Sequence, residues 1–395
     1  MTIRVIRTTE ELQELSGIWD ELLATSHSKS VFLSWRWVSS WTKSYLGKNK
    51  LLCLVVYDGE KPIAIAPLWV KRMRFGKLFT FKVLRMLVSE RVGADHLDLI
   101  VSSSNRMAVI DLIWDELFGN LRKEWDIFSF DDIPTDSRTM DRMRWLSEED
   151  YRCIKTEFKG YAVCPYLPLP STYDDFLDGL SRKHRYSINR YKRLLSEQAE
   201  LRFECAANQE ELDAAMELLI ALNRKSWRER GQEGSFGTQA FIDCHRDLAR
   251  GLLDEGRLML CSLFLGERHI GSFYGFFDDG TLYNYIMSVE RGVDRRVSIG
   301  KVLLAMCIEK AIGRGCSELD FLRGDEEYKY EWTDRDRRNL SMEFYNRKFR
   351  ALLYILYVFT KKYAKQLGKA VLGRHSVTVN EWRNGAIAQQ ENGED

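Results

Sequence analysis

A short segment in the last quarter of the chain concentrates side chains that can exchange protons. Residues 320–332 read DFLRGDEEYKYEW, so carboxylates, phenols and an ammonium group follow one another within one turn. The alternating apolar residues before this turn predict a strand that ends near Leu322. Polar groups collected at the carboxyl end of a strand are typical of a site in an α/β sheet. An ion-paired corner between a strand and a helix is the purely structural alternative.

A second segment has the composition of an anion-binding turn. Residues 295–300 (RRVSIG) lie between a predicted strand and an apolar helix, where small residues let backbone N–H groups approach a phosphate. The flanking Arg295 and Arg296 would add charge-assisted hydrogen bonds to a pyrophosphate. The corresponding residues of the first half, 101–107 (VSSSNRM), contain no glycine and one arginine. We therefore expect the anion site in the second half; an arginine-rich helix cap is the alternative.

Motifs of several other chemistries are missing from the sequence. There is no GxxxxGK[ST], GxGxxG or GxSxG, which disfavours a P-loop, a dinucleotide fold and a hydrolase elbow. Ser298 and Lys301 match SxxK, but without SDN or KTG partners this match is treated as a coincidence. No HxxxH, CxxC or HExxH spacing occurs, so we expect no metal site.

The composition is that of a globular protein whose net charge is too small to produce a strong overall electrostatic field. Lys and Arg number 59 and Asp and Glu 58, so the net charge of +1 would attract neither DNA nor an anionic membrane. The N-terminal residues are charged throughout and lack the apolar core of a secretory signal, which favours a cytoplasmic protein. The eight cysteines are scattered, and we expect buried thiols rather than a disulfide framework.

One order of elements occurs twice, at a spacing of about 200 residues. Residues 8–12 and 208–212 each combine a helix-capping residue with acids, as at the start of a helix. Each predicted helix precedes a hairpin (51–70; 258–277), a strand (96–101; 281–287), an apolar helix (107–121; 299–312) and a strand ending in acids (125–132; 317–326). The repeat predicts an α/β fold of two similar lobes, each with a mixed central sheet flanked by helices.

Two further segments lie outside the repeat. The residues between the halves begin with an extended, proline-rich stretch and continue with a basic one that contains Arg182, Lys183, Arg185, Arg190, Lys192 and Arg193. The basic stretch can be interpreted either as a solvated face of a helix or as a segment that contacts the phosphates of a ligand. After residue 345 the sequence predicts a helix with an apolar centre and a cationic rim. Its apolar run is too short to span a bilayer; we expect it to cover the second lobe, with contact to a membrane surface as the alternative.

Residues 160–345 resemble the bacterial tandem-GNAT acetyltransferases associated with cellulose biosynthesis (CelD/BcsL-like). The likeness lies in YLPLPSTYDDFLDGLSRKHR, in IGKVLLAMCIEKAIGRGCSELDFLRGDEEYK and in the hairpin between them. RRVSIG also approximates the R/Q-x-x-G-x-G/A phosphate loop of GNAT enzymes, with Ser298 in place of the first glycine. The resemblance implies two GNAT-like lobes and a C-terminal helix, divided as a degenerate N-terminal lobe (1–163), a linker with a basic helix (164–200), a donor-binding catalytic lobe (201–345), and a helix with a polar tail (346–395).

The resemblance also implies roles for particular residues. The co-substrate would be acetyl-CoA or another acyl-CoA, threaded between the two central strands of the second lobe, with no metal. Its phosphates would contact Arg295, Arg296, Ser298, Gly300 and Lys301, and the substrates would contact Tyr285, Arg323, His184 and Arg185. The catalytic residues would be Asp320, Asp325 or Glu326 as the base, Tyr328 as the acid for the leaving thiolate, and Lys329 holding Tyr328 or the acceptor.

The expected activity is N- or O-acyl transfer to a small molecule, a glycan or a cell-envelope precursor, with polysaccharide-synthesis machinery as a possible partner. Two alternatives stay open. One is an aminoacyltransferase of the peptidoglycan-bridge type, which takes its acyl group from aminoacyl-tRNA; the basic segment would then contact RNA phosphates. The other is a non-catalytic GNAT-like partner protein whose contact face is formed by exposed Trp35, Trp37 and Trp41.

Overall fold

The computed structural model describes residues 1–75, 79–90, 92–102, 106–358 and 360. The first half contains β1 (Thr2–Ile6), α1 (Thr9–Gln13), α2 (Ser16–Thr25), α3 (Trp35–Trp41), β2 (Lys50–Leu51), β3 (Cys53–Asp58), β4 (Lys61–Ala66), β5 (Leu68–Phe75), β6 (Phe79–Met86), β7 (Ile100–Val101), α4 (Arg106–Phe118), β8 (Ile127–Pro134), α5 (Arg138–Glu149) and β9 (Cys153–Pro168).

The second half contains α6 (Tyr173–Gly179), α7 (Arg182–Ser196), β10 (Leu201–Cys205), α8 (Gln209–Arg228), α9 (Gln239–Asp254), β11 (Leu258–Leu265), β12 (Arg268–Asp278), β13 (Thr281–Val289), α10 (Ile299–Gly313), β14 (Glu318–Asp320), α11 (Glu327–Tyr330) and β15 (Asp336–Asn346). Residues 349–358 form one further helical stretch.

The two predicted helix starts have the same capping arrangement. Thr8 accepts a hydrogen bond from the Glu11 amide, and the Glu11 carboxylate accepts one from the Thr8 amide. Asn208 likewise accepts from the Glu211 amide at 3.0 Å, and Glu211 accepts from the amide of Ala207. Each cap satisfies amides that have no partner inside the helix. The predicted hairpins are confirmed as well, as β3–β4 and β11–β12.

The predicted strand at residues 96–101 is mostly wrong. Only Ile100 and Val101 are in a strand, whereas the preceding hairpin β5–β6, which was not predicted, supplies the strand that runs parallel to β8. In the second lobe β12 pairs with both β11 and β13. The corresponding strand of the first lobe is interrupted at Pro67, which cannot donate to the ladder. It is therefore divided into β4, which pairs with β3, and β5, which pairs with β6.

The lobes exchange their last strands. Strand β9, which follows the first lobe, pairs with β14 of the second, and β15, which follows the second lobe, pairs with β8 of the first. The exchanged strands also pair with each other, from Asp336 opposite Pro165 to Asn346 opposite Cys153. The described part of the chain thus holds one sheet of eleven strands, beside a smaller sheet of β1, β3, β4 and β7. The boundary predicted between residues 163 and 164 lies within β9.

The tryptophans near α3 belong to the core. The side chains of Trp37 and Trp41 are fully buried, and Trp35 lies against Trp19 with ring centroids 5.6 Å apart. Trp37 contacts Phe276 of β12 edge-on at 5.5 Å, so α3 packs against the sheet of the second lobe. The expectation of an exposed tryptophan contact face is therefore wrong.

Two cysteines are bonded, contrary to the expectation of thiols alone. Cys205 of β10 lies opposite Cys261 of β11 in the ladder, and the two form a disulfide. The sequence could not indicate this pair, because the strands are joined only by tertiary structure. The other six cysteines are buried free thiols.

The last helical residues lie on the sheet of the first lobe rather than on the second lobe. Ala351 is fully buried, and Tyr354 contacts Phe81 of β6 edge-on at 5.3 Å. Phe349, Leu352 and Leu356 are exposed on the other side. No helix among the described residues is long and apolar enough to cross a membrane. The rest of the predicted C-terminal helix and the polar tail lie outside the described residues.

The disulfide predicts a thiol count. Protein that is denatured without reductant should take up six alkyl groups in intact-mass measurements, and eight after reduction. Cys205→Ser should take up seven under both conditions, because it leaves Cys261 without a partner. Eight groups on unreduced wild-type protein would contradict the assignment.

Candidate functional site

The central strands of the second lobe separate after a short parallel contact. Strands β13 and β14 pair only from Thr281 opposite Glu318 to Tyr283 opposite Asp320. Beyond this point β14 ends, whereas β13 continues to Val289 with its edge open on this side. The ladder with β12 is irregular here, since Asn284 lies opposite Gly275 and Ile286 opposite Tyr274, which leaves Tyr285 as a bulge. A bulge turns backbone groups away from the ladder, so they can meet a ligand.

Helix α10 begins beside this open edge. Ser298 caps the helix by accepting from the Lys301 amide, and Gly300 lies in its first turn. A methyl group at Gly300 would lie 3.6 Å from the Met287 side chain of β13, which is ordinary contact. Packing therefore does not require a glycine at this position. The positive end of the helix dipole lies next to the separated strands, where it favours an anion.

The cations predicted to bind phosphate have different surroundings. Arg296 pairs with Asp294 at 2.7 Å, and these hydrogen bonds lower the pKa of the Asp294 carboxyl. Lys301 pairs with Glu331 at 2.8 Å, with its side chain mostly buried. Arg295 is exposed and has no ion pair to any residue that the structure describes. An arriving anion would thus meet Arg295 directly but would compete with carboxylates for the other two.

His184 lies in the same region as Lys301. Its ring meets Trp332 edge-on at 4.5 Å, and burial, with the Lys301 charge second, lowers its pKa. Its Nε2 atom is buried and has no hydrogen-bond partner among the described residues. Arg185 instead pairs with Asp178 of α6 and is not brought to this region.

The turn after β14 is held from inside by Lys329. Lys329 is only 2% exposed, and its ammonium donates to the carbonyls of Leu322, Arg323 and Gly324 at 3.0, 2.8 and 3.2 Å. It also pairs with Glu326 at 2.9 Å. The backbone of Gly324 has a φ of +119°, and a Cβ there would collide with the Glu326 carboxylate. Lys329 thus holds the backbone of this turn in place from inside.

Asp325 and Tyr328 remain accessible on this turn. The Tyr328 side chain is 39% exposed, and Asp325 is exposed as well. Their two neighbours in the sequence, Glu326 and Lys329, are the residues that fix the turn. The arrangement therefore presents a carboxylate and a phenol on a constrained backbone.

Asp320 is buried in an ion pair with the first lobe. Its carboxylate lies 3.1 Å from Nε2 of His96, whose Nδ1 lies 2.9 Å from the Asn339 carbonyl oxygen. The Asn339 amide donates to Asp95, which fixes its orientation. Both ring nitrogens of His96 therefore face acceptors, as an imidazolium requires. Burial alone would lower the pKa of His96, but Asp320 raises it overall, and the same pairing lowers the pKa of Asp320.

Arg323 anchors the turn to the first lobe. Its guanidinium pairs with Asp95 at 2.8 Å and with Asp132 at 2.9 Å, and its amide donates to Asp95. Burial raises the pKa of Asp132 to about 6, although Arg323 opposes this. The side chain predicted to contact substrate is thus occupied by carboxylates of the other lobe.

Tyr285 also faces the first lobe. Its hydroxyl donates to the carbonyl of Val92 and lies 3.1 Å from His245, and its ring packs against Trp37. The side chain is therefore directed into the contact between the lobes. Only its backbone, at the bulge, borders the open edge of β13.

Several residues of this region were not predicted. Asn284, on β13 just past the last contact with β14, is 5% exposed, and its side-chain amide nitrogen has no hydrogen-bond partner among the described residues. His96 and Asp132 adopt positive φ angles, which no local pattern indicates. These residues reach Asp320 and Arg323 from distant parts of the chain. No group of three or more potential metal ligands occurs in the described residues.

The comparisons with known proteins identify this fold. Residues 182–330 match the family model described as an acetyltransferase (GNAT) domain. The chain therefore carries a GNAT acyltransferase domain over these residues, and domains of this kind use an acyl donor. No curated protein matches the chain.

Solved structures extend the likeness over both lobes. FemX is 12% identical, with 90% of this chain and 99% of FemX covered at a TM-score of 0.61. A conserved protein of unknown function from Bacteroides thetaiotaomicron is 12% identical, with 87% and 100% covered and a TM-score of 0.53. L-PGS from Bacillus licheniformis is 11% identical, with 88% and 96% covered and a TM-score of 0.50. These matches confirm the predicted fold of two tandem lobes with mixed sheets.

The ion pair between His96 and Asp320 predicts a pH-dependent stability. The folded protein raises the pKa of His96, so the stabilisation is complete below about pH 6.5 and is lost as the pH rises through the raised pKa. We expect His96→Asn, which tolerates the positive φ, to lower Tm by several degrees near about pH 6 and by less near about pH 9. The exposed His27→Asn is the control, and an equal loss of Tm at both pH values for His96→Asn would refute the assignment.

Proposed function

We propose that the protein transfers an acyl group, acetyl in the simplest case, from acyl-CoA to an amine or hydroxyl. The observation that carries this proposal is the separation of β13 from β14 directly beside the start of α10. The open edge offers extended backbone to an elongated donor, and the helix start offers a favourable potential to its phosphates. The buried, unpartnered polar atoms of Asn284 and His184 border the same region and could be satisfied by a ligand.

The donor would be held by residues of α10 and of the turn before it. Arg295 and the first amides of α10, around Ser298 and Gly300, would bind the phosphates. Lys301 and Arg296 would contribute by exchanging their present carboxylate partners for phosphate oxygens. The backbone of β13 from Tyr285 to Ser288 would supply the N–H donor where charge develops on the thioester oxygen. The side chain of Tyr285 has no part in this step, because it faces the lobe contact.

The acid and base would come from the constrained turn. An amine acceptor has an ordinary pKa near ~10.4, so deprotonating it at neutral pH costs roughly 4–5 kcal/mol without a base. Among the predicted bases, Asp320 and Glu326 are already in ion pairs, which leaves the exposed Asp325. In the proposed step the acceptor attacks the thioester carbon and gives its proton to Asp325. The C–S bond breaks, and Tyr328 protonates the departing thiolate.

The acceptor is proposed to be a small molecule, a glycan or a cell-envelope precursor, in the context of polysaccharide synthesis. The motifs of residues 160–345 support this assignment through their resemblance to the cellulose-associated family. Acid and base lie where the second lobe meets the first, so both lobes would shape the acceptor site. The predicted domain boundaries near residues 163, 200 and 345 remain part of this proposal.

The surroundings of α7 favour acyl-CoA over aminoacyl-tRNA. Three of the six cations of this segment are paired within the protein: Arg185 with Asp178, Lys192 with Glu309, and Arg193 with Glu197. Cations neutralised in this way contribute less to binding an RNA backbone, which depends on released counterions. The burial of Trp37 and Trp41 removes the contact face on which the non-catalytic alternative depended.

The placement of the donor is tested at Gly300. Gly300→Val should weaken CoA binding by about tenfold or more in calorimetry, because the side chain blocks the approach of phosphate to the helix start. A Cβ at Gly313, at the other end of α10, has no neighbouring atom within 4 Å. Gly313→Val should therefore bind CoA like the wild type. Circular dichroism should show both variants folded. Unchanged CoA binding by Gly300→Val would place the donor elsewhere.

The chemistry is tested at Asp325 and Tyr328. Asp325→Asn and Tyr328→Phe should each lower kcat by roughly 10²-fold or more with little change in Tm, as expected for a lost base or acid. Glu327→Gln is the matched control, since Glu327 is an exposed acid on the same turn. A decrease in Tm that accounts for all of the lost turnover would instead assign the two residues a structural role.

A further inference from the structure

The first lobe contains a cavity of about 290 Å³ that is not part of the site described above. It lies where β8 ends and where α4 and α5 begin. Among the residues that line it are His27, Asp98, Arg106, Ser137, Arg138 and Thr139. It is thus bordered by the starts of two helices, by two arginines and by hydroxyl groups.

Two arginines line this cavity. Neither Arg106 nor Arg138 forms an ion pair with a residue in the described ranges. Burial, and after it the charge of Arg138, lowers the pKa of Arg106. Two like charges that face one small space repel each other, and an anion between them would remove this cost.

The buried carboxylate in the cavity wall is committed to other groups. Asp98 accepts from the Leu99 amide and from the Ser137 hydroxyl, each at 2.7 Å. Ser137 in turn caps α5 by accepting from the Met140 amide at 3.1 Å. Asp98 therefore holds the start of α5 in place, while it offsets only part of the charge of Arg106. The other carboxylate of the lining, Asp136, is exposed at the rim.

The position of the cavity repeats that of the donor region in the second lobe. Helix α4 occupies the place in the first lobe that α10 occupies in the second, ahead of the strand that pairs with an exchanged strand. At α10, Arg296 and Lys301 are neutralised by Asp294 and Glu331. Arg106 and Arg138 have no such ion pair within the described part of the chain. Arg138 reaches the cavity from α5, so residues 101–107 alone could not indicate it.

We propose that this first-lobe cavity binds a phosphate or pyrophosphate group of a small ligand. The two guanidinium groups would pair with its oxygens, and the first amides of α4 and α5 would direct N–H groups toward it. Such a group occurs on nucleotides and on phosphorylated precursors as well as in free phosphate. The inference goes beyond the proposed function and does not depend on where the acyl donor binds.

Binding of inorganic pyrophosphate to the full chain tests the proposal. Arg106→Gln and Arg138→Gln should each weaken the calorimetric affinity by roughly tenfold or more. Arg138 is exposed, so its variant should fold like the wild type. Arg144→Gln is the matched control, since Arg144 lies on α5 away from the cavity and pairs with Glu148. Wild-type affinity in both cavity variants, or an equal loss in the control, would overturn the proposal.

Amide hydrogen exchange locates the bound group and separates its sources. Pyrophosphate, uridine diphosphate and CoA would be added in parallel to the wild-type protein. We expect at least one of these compounds to slow exchange in residues 134–142, and we expect this protection to be lost in Arg138→Gln. The compound that protects these residues with the highest affinity then identifies whether the bound group is free, on a nucleotide or on CoA. Protection confined to residues 295–302 would refute the first-lobe site and leave the second-lobe donor site standing.

Discussion

The exchange of β9 and β15 is the constraint on which the rest of the structure depends. Because each lobe's sheet is completed by the strand that follows the other lobe, neither sheet is whole without both halves of the chain. The exchange brings the end of β14 against the first lobe, where Arg323 meets Asp95 and Asp132 and where Asp320 meets His96. Buried charges of this kind are stable only when they are paired. The ion pairs therefore fix the orientation in which the two lobes contact each other, in addition to the apolar area that they bury.

The constraint explains how the turn after β14 can hold exposed chemical groups. Its backbone is fixed at one end by Arg323 and from inside by the Lys329 ammonium, which is surrounded by three carbonyl oxygens. Asp325 and Tyr328 therefore lie at the surface on a backbone that these buried contacts hold in place. Buried neighbours can thus hold a pair of exposed groups in a fixed geometry, as a site that binds a substrate requires.

Local signals were readable from the sequence, and contacts between distant segments were not. Thr8 and Asn208 predict the starts of helices because their capping hydrogen bonds involve only residues next to them in the sequence. The hairpins are predicted by apolar runs on both sides of turns that contain glycine. The division of a strand at Pro67 was missed because apolar residues continue on both sides of it. Lys329 and Arg323 have the residue types of a catalytic site, yet their partners are backbone carbonyls and first-lobe carboxylates. Asn284, His96 and the bond between Cys205 and Cys261 depend on pairings that only the tertiary structure brings about.

The strand exchange also bears on how the chain is made. As the first lobe leaves the ribosome, β8 and β9 both have edges whose partners, β15 and β14, have not yet been synthesised. Unpaired strand edges invite pairing with other chains, and contacts between residues far apart in sequence form slowly. Misassembly is therefore most probable while only the first half of the chain has been synthesised. Two chains could then complete each other's sheets by exchanging the same strands that a single chain exchanges between its own lobes.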